Sequence, residues 1–430
     1  MNIKPHEQTT RRSFIKTSAA VGALVTQVGF PAVISAASNS NKLRIGLVGC
    51  GGRGTGAASQ ALTADSNVEL TAKGELFEAP LKKSLEILCQ KHPGKVKVTP
   101  ERCFVGFDAY EKVIANSDVV LLTTAPGFRP LHLKAAIDAG RHAFVEITLG
   151  VDAPGVRMAM EASELATKRN LGILSGFCWR YNEKHRAVRE QIRRGVIGPI
   201  RAIYATYYRG SLTNKFHGDR EPWMNDLQWQ IRNWHNYLWL SGDVTILLSG
   251  GHSVDKMSWW LDDAMPMKAV GVGGRGYEAE GNIFDNCFAV YEYANGVRGF
   301  LGCRSQPGCH NENADYIIGT RGICTIGRSA APFINGEVEW RYSGPENNMY
   351  QTEHDEFFAS IRAAKPINDG PRMARTTLIG IMGRMAAYTG QEITWDMALK
   401  SKEKLVPDHL DWNTKVEMPP LATPGRTKFL

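Results

Sequence analysis

Six residues, Gly49-Cys50-Gly51-Gly52-Arg53-Gly54, constrain this chain more than any others. They fit G-x-G-x-x-G, follow directly on the apolar run Ile45-Gly46-Leu47-Val48, and precede a helical stretch from Ala57 to Leu62. In that setting each glycine has its own task. Gly49 permits a tight turn, Gly51 lets backbone N–H groups approach a pyrophosphate, and Gly54 lets the helix pack close on the strand, while the helix N-terminus favours an anion. Glu75 ends the next apolar strand 21 positions after Gly54, where a carboxylate binds ribose hydroxyls. Gly49, Gly51, Gly52, Arg53 and Gly54 with Glu75 therefore read as a dinucleotide site for NAD or NADP. The carboxylate favours NAD, whereas Lys73 and Arg53 are cations suited to a 2′-phosphate.

The surrounding texture matches. From Lys42 to Ser175, short β-branched runs alternate with stretches of helical period, which predicts a parallel sheet with crossover helices. Strands are expected near Leu43 to Val48, Val68 to Ala72, Cys103 to Gly106, Asp118 to Thr124, His142 to Glu146 and Gly172 to Ser175, with clear helices from Pro130 to Ala139 and Asp152 to Lys168. After Cys178, extended segments at Ile200 to Tyr208, Lys268 to Gly274, Phe288 to Tyr293 and Arg298 to Arg304 read as following one another without intervening helices. That predicts a mainly antiparallel sheet. Tyr293-Ala294-Asn295-Gly296-Val297 is a hairpin signal, because Asn-Gly supplies positive φ. Helices from Tyr350 to Ala364 and Arg372 to Thr389 precede a Pro-rich tail. The expected fold class is α/β: a Rossmann doubly wound parallel sheet over residues 38–177, then a C-terminal α/β domain over 178–430 on a mainly antiparallel open sheet.

Residues 1–37 are set apart. Thr10-Arg11-Arg12-Ser13-Phe14-Ile15-Lys16 precedes a small-residue apolar stretch ending in Ser35-Ala36-Ala37, which looks like a twin-arginine signal and predicts an exported, periplasmic protein that leaves the cytoplasm folded. The chain's net charge is +8, spread without a Lys/Arg run, so a nucleic-acid partner is not expected. No later apolar run is long enough to span a bilayer, so stable membrane insertion is not expected either. The 8 cysteines contain no Cys-x-x-Cys pair, which argues against a zinc site or a disulfide framework. Cys303 with Cys309 is the one pair whose spacing suits a disulfide.

Further residues carry chemistry. Arg180 and Tyr181 lie at the C-terminal end of the sixth strand, at the edge where open α/β sheets place ligands; such residues hold a substrate or cap a helix, and substrate contact is the reading adopted. Tyr207, Trp223, Trp229, Arg232 and Trp234 make an aromatic and basic set of the kind that stacks on sugar faces, although core packing uses the same residues. Glu353-His354-Asp355 resembles part of a metal cluster, but an acidic cap at a helix start is the commoner arrangement, and no metal is expected.

With these motifs in view, the chain resembles the Gfo/Idh/MocA oxidoreductases, among them glucose-fructose oxidoreductase and inositol dehydrogenases, especially the exported twin-arginine members. The resemblance rests on the glycine loop, on Thr124-Ala125-Pro126 with His132, and on Ala139-Gly140-Arg141-His142 running into Val145-Glu146. Ser175-Gly176-Phe177 through Tyr181, Arg232-Asn233-Trp234, Gly281-Asn282-Ile283-Phe284-Asp285 and Gly319-Thr320-Arg321-Gly322 continue it. It implies NAD(P), a sugar or polyol substrate, and an open sheet that serves subunit contacts in a homodimer or homotetramer. Thr124 and Glu146 would join the cofactor site, and His252 would be the catalytic base. There are two departures. The family's Glu-Lys-Pro reads Glu146-Ile147-Thr148 here, and the acidic residue four positions before the histidine is Leu248. Neither alkyl side chain accepts a proton, which leaves the imidazole of His252. Asp255 would fix its tautomer or pair with Lys256. Three functions follow: an oxidoreductase with tightly held cofactor, a redox-neutral NAD-dependent glycoside hydrolase, or a non-catalytic nucleotide- and sugar-binding protein.

Overall fold

Runs buried on both faces make the first sheet. The computed structural model describes residues 42–211 and 219–430, so the export segment lies outside the described residues. The chain begins β1 (Leu43–Val48), α1 (Gly52–Ala64), β2 (Val68–Glu75), α2 (Glu78–Lys91), β3 (Cys103–Val105) and α3 (Ala109–Ala115). It continues β4 (Val119–Leu122), α4 (Arg129–Asp138), β5 (His142–Val145), α5 (Ala153–Lys168) and β6 (Ile173–Ser175). All six strands are parallel, in the order β3-β2-β1-β4-β5-β6. The order reverses between β1 and β4, so their C-terminal ends open the crevice where such sheets bind ligands. α1 starts at Gly52 rather than at Ala57, because the glycine motif itself forms the first helical turn. α5 is fixed by Asp152, which accepts from the Gly155 amide at 2.8 Å, with Pro154 in the first turn.

The second half runs α6 (Glu183–Arg193), β7 (Ile200–Arg209), α7 (Asp226–Arg232), α8 (Leu238–Ser241), a π-helical turn (Val244–Ser249), and α9 (Gly250–Trp260). β8 (Lys268–Gly274), β9 (Asn286–Glu292), β10 (Arg298–Ser305), β11 (Glu312–Gly319), β12 (Gly322–Gly327), β13 (Phe333–Gly336) and β14 (Trp340–Arg341) follow. The rest is α10 (Met349–Arg362), α11 (Gly370–Thr389), β15 (Ile393–Thr394), α12 (Trp395–Lys400) and a tail. Helices therefore do separate β7 from β8, contrary to the expectation from sequence. After that excursion β7 lies in the middle of a nine-stranded sheet, β14-β13-β12-β11-β7-β10-β9-β8-β15. It pairs parallel with β10 and antiparallel with β11, so the sheet is mixed, though mostly antiparallel. The β9–β10 hairpin turns at Gly296, whose φ of 80° is the left-handed value that Asn-Gly predicts.

α9 and α11 cover one face of this sheet, while Val270, Val272 and Ile323 are exposed on the other. α10 returns to pack on α1, with Phe357 and Phe358 joining Ala57, Ala61 and Phe144 in one core. The change of sheet near residue 178 thus falls inside one compact unit from Lys42 to Leu430.

Candidate functional site

The glycine loop is built as its spacing predicts. Gly49 has φ +93°, and a Cβ there would lie 2.8 Å from the Thr123 carbonyl carbon. A Cβ on Gly54 would lie 2.1 Å from the Gly49 oxygen and 2.4 Å from Thr123 Oγ1, so α1 packs directly on the loop. Thr123 Oγ1 donates to that same oxygen at 2.6 Å. Gly51 and Gly52 differ: a Cβ on either meets nothing within 4 Å, which leaves an open cradle at the helix N-terminus. Glu75 closes one side, its carboxylate accepting from the Cys50 amide at 2.7 Å and the Leu76 amide at 2.6 Å. Burial raises its pKa, and these amides offset only part of the rise.

The two cations considered for a 2′-phosphate are engaged elsewhere. Lys73 is fully buried, with Nζ 3.3 Å from the Leu81 oxygen. Arg53 reaches across the sheet edge to Glu146 at 2.6 Å, bonds Gln60 at 2.6 Å, and lies over the Tyr350 ring. Thr124 follows β4 with Oγ1 3.3 Å from His132 Nδ1. His132 stacks on Tyr110 and is neutral, since burial lowers its pKa to about 3.

His252 is brought to the end of β5 by the start of α9. A Cβ on Gly251 would lie 3.4 Å from Thr148 Cγ2, so the helix sits on the Glu146–Thr148 loop. Arg129, buried, braces that loop through the carbonyl oxygens of Ile147 and Thr148, the latter at 3.0 Å. The His252 ring lies edge-on to Phe177 at 6.1 Å and stacks with Tyr207 at 6.4 Å. Its Nδ1 is sealed and has no hydrogen-bond partner among the described residues, while Nε2 is not sealed. Burial, followed by the Lys256 charge, lowers the pKa to about 4, so the imidazole is neutral at pH 7. The π-helical turn that leads into α9 hangs on Asp243, which accepts from the Thr245 amide at 2.7 Å and from the Tyr388 hydroxyl at 2.7 Å. Leu248, on this turn, packs beside Leu238, Phe284 and Tyr388.

Several residues singled out in the sequence have structural duties instead. Asp255 neither orients His252 nor pairs with Lys256: it accepts from Arg180 Nε at 2.9 Å and Arg372 Nη1 at 3.1 Å. Arg180 also bonds Asp263 at 2.6 Å and covers Trp259, so its donors are spent within the chain and not on a substrate. The Tyr181 hydroxyl donates to Asp369 at 3.3 Å. Lys256 pairs with Asp315 at 2.7 Å, both buried. The aromatic set does not converge: Tyr207 goes to His252, Trp229 Nε1 donates to Glu280 at 2.8 Å, and Trp223 is exposed. Arg232 closes α7, and Trp234 packs with Phe128, Tyr237 and Trp239. Cys303 faces Cys287 across the β9–β10 ladder rather than Cys309, and all three thiols are free. One feature had no sequence signal: Trp412 of the tail lies against Phe107 at 4.6 Å and Phe77 at 5.6 Å, over the ends of β2 and β3.

Glu353 is not a helix cap either. α10 starts at Met349, capped by Asn348, and Glu353 is wholly buried in its second turn, with neither oxygen hydrogen-bonded among the described residues. Among the described residues no group of His, Cys, Asp or Glu is arranged to hold a metal. Burial, then the Glu146 charge, raises the Glu353 pKa well above its usual value. A carboxyl raised on folding contributes stability that is complete below its unfolded pKa, about 4.3, and is lost as pH rises through the folded value. Glu353→Gln carries no such charge at any pH. Its melting temperature relative to wild type is expected to rise between pH 4.5 and pH 8; a constant difference would contradict the assignment.

Residues 185–325 match the GFO/IDH/MocA C-terminal domain. The inositol 2-dehydrogenase of Cereibacter sphaeroides is 26% identical over 266 residues, which cover 61% of this chain and 68% of that protein. A glycosyl hydrolase family 109 protein of Shewanella amazonensis is 26% identical over 242 residues, 52% of this chain and 47% of that protein. In fold, scyllo-inositol dehydrogenase from Lactobacillus casei, solved with NAD(H) and scyllo-inositol, superposes with a TM-score of 0.63 at 18% identity, covering 83% of this chain and 99% of that one. The parallel sheet and glycine loop thus lead into a segment that matches the GFO/IDH/MocA C-terminal domain, and both halves of the chain are similar to oxidoreductases of that type.

Proposed function

We propose that the protein is an NAD-dependent oxidoreductase acting on a sugar or polyol. The observation that carries this reading is the cradle itself: Gly51 and Gly52 leave space at the N-terminus of α1, and Glu75 stands beside them on the Cys50 amide. Gly51 and the α1 N-terminus would hold the pyrophosphate, Glu75 the ribose hydroxyls, and Thr124 and Glu146 the far end. Held there, NAD would supply the acceptor for a hydride leaving a carbinol carbon. His252 takes the hydroxyl proton at Nε2, and its neutrality at pH 7 is the state that does so. Ile147 contributes no proton chemistry and lines the loop. The engagement of Lys73 and Arg53 supports NAD over NADP.

Purification without added nucleotide, followed by denaturation, is expected to release about one NAD(H) per chain, and NADP is expected to bind at least about 10-fold more weakly. A chain that neither releases nor binds NAD would overturn the proposal. The family 109 similarity supports a second reading, redox-neutral glycoside hydrolysis in the same site. Cleavage of an aryl glycoside without net NADH would select it.

We also propose association through the open face of the larger sheet, supported by Val270, Val272 and Ile323. Light scattering at micromolar concentration is expected to give the mass of two or four chains, and a monomer would refute this.

A further inference from the structure

The nine-stranded sheet brings two arginines to the site by register alone. Thr206 of β7 pairs with Ala314 of β11, and Ala314 pairs with Gly327 of β12. One residue further along, Asn313 lies opposite Tyr207, and Arg328 directly follows Gly327, the last paired residue of β12, close enough for its charge to act on the Tyr207 hydroxyl. Paired residues point to the same face, and Tyr207 points to the face where its ring stacks on His252. Arg209, two residues beyond Tyr207 on β7, lies on that face as well. Two strand spacings put Arg328 about 10 Å from Tyr207, a gap that two arginine side chains on one face close between them.

Among the described residues, neither guanidinium has an acidic partner. Arg209 is half-buried and Arg328 exposed, yet among the described residues no ion pair or hydrogen bond engages either side chain, in a structure where Arg44, Arg53, Arg180, Arg186, Arg189 and Arg372 all meet carboxylates. Glu312, the acid on the adjoining strand, pairs with Tyr208 and so faces the other side, where it is bonded by Thr206 and Tyr316. Arg209 is held below its usual pKa by burial first, with the Arg328 charge acting in the same direction. Like charges brought together beside a site, without a counter-ion from the chain, are complemented by a ligand that supplies one.

We propose that the substrate is an anionic carbohydrate, a sugar or polyol bearing a carboxylate or a phosphate group. Arg209 and Arg328 hold the anion, and Tyr207 and Asn313 line the way to His252. Guanidinium suits both groups, since its planar fork matches carboxylate and phosphate oxygens. Placement of the reacting hydroxyl at His252 rests on the oxidoreductase reading, whereas capture of the anion does not.

The test is direct binding to the full chain, with and without NAD, using D-glucuronate, D-glucose 6-phosphate and D-glucose as probes. One of the two anions is expected to bind at least about 10-fold more tightly than glucose, with affinity falling as salt is raised. Which one does so separates carboxylate from phosphate. Arg328→Gln and Arg209→Gln should each bring the anion close to the affinity of glucose while NAD binds as before, and Arg209→Lys should restore part of the preference. Equal or absent binding of all three probes, or a preference that survives in both glutamine variants, would overturn the proposal. Those results with NAD still bound would leave the oxidoreductase reading standing, and loss of NAD binding with the anion preference intact would do the reverse.

Discussion

Replacing Gly51 with valine is expected to leave the protein folded and to weaken NAD binding by at least about 100-fold, or roughly 2.7 kcal/mol. Gly51 has φ −70° and ψ −175°, backbone angles that any residue adopts, and its Cβ direction is empty to 4 Å. A side chain there meets no part of the chain and occupies the space a pyrophosphate needs. Gly54 makes the contrast. Gly54→Ala drives a methyl into the Gly49 carbonyl, 2.1 Å away, and is expected to cost about 3 kcal/mol or more in stability. Urea unfolding and NAD titration of both variants separate the two roles. Wild-type affinity in Gly51→Val would mean that no nucleotide uses this loop.

Asp255→Ala is expected to destabilise the second half by about 3 kcal/mol, because it removes the buried carboxylate that two arginines share and leaves each with a single acid, Asp263 for Arg180 and Asp369 for Arg372. Arg180 and Arg372 both lie against this carboxylate, which also accepts from Thr376 at 3.4 Å. Through them it ties the loop after β6 to α9 and α11. A double variant with Arg180→Met should recover part of the loss, since the guanidinium whose Nε has lost its acceptor goes with it. If Asp255→Ala unfolds in urea at the wild-type midpoint, the carboxylate is not the hub described. A role in orienting His252 would show as altered turnover at unchanged stability.

The first sheet was legible because its strands are buried on both faces and read as unbroken apolar runs, Ile45 to Val48 and Val119 to Leu122. The helices between β7 and β8 were not. α7 has 7 residues and α8 has 4, too few to establish a helical period, and the next turn is wound by the side chain of Asp243 rather than by propensity. The same divide runs through the site. The glycine loop is local, so spacing identifies it. Arg180 finds Asp255 75 positions away, and Arg328 joins Tyr207 only through the ladder of β11, so neither partnership is written in any stretch of sequence. Position at a strand end suggested substrate contact for Arg180, and tertiary pairing decided otherwise.

The way α10 and the tail return to the first sheet sets a timetable for the growing chain. β6 completes the parallel sheet at Ser175, but Trp412, which covers the ends of β2 and β3, is made roughly 240 residues later. At about 5–20 residues per second that interval is on the order of 12–50 s. For about the first three-quarters of it, until residue 358 is made, Ala57, Ala61 and Phe144 wait for Phe357 and Phe358 to cover them. The nascent protein therefore presents an apolar face to chaperones before its nucleotide edge is complete, and a ribosome stalled before Met349 would release a fragment with that face bare.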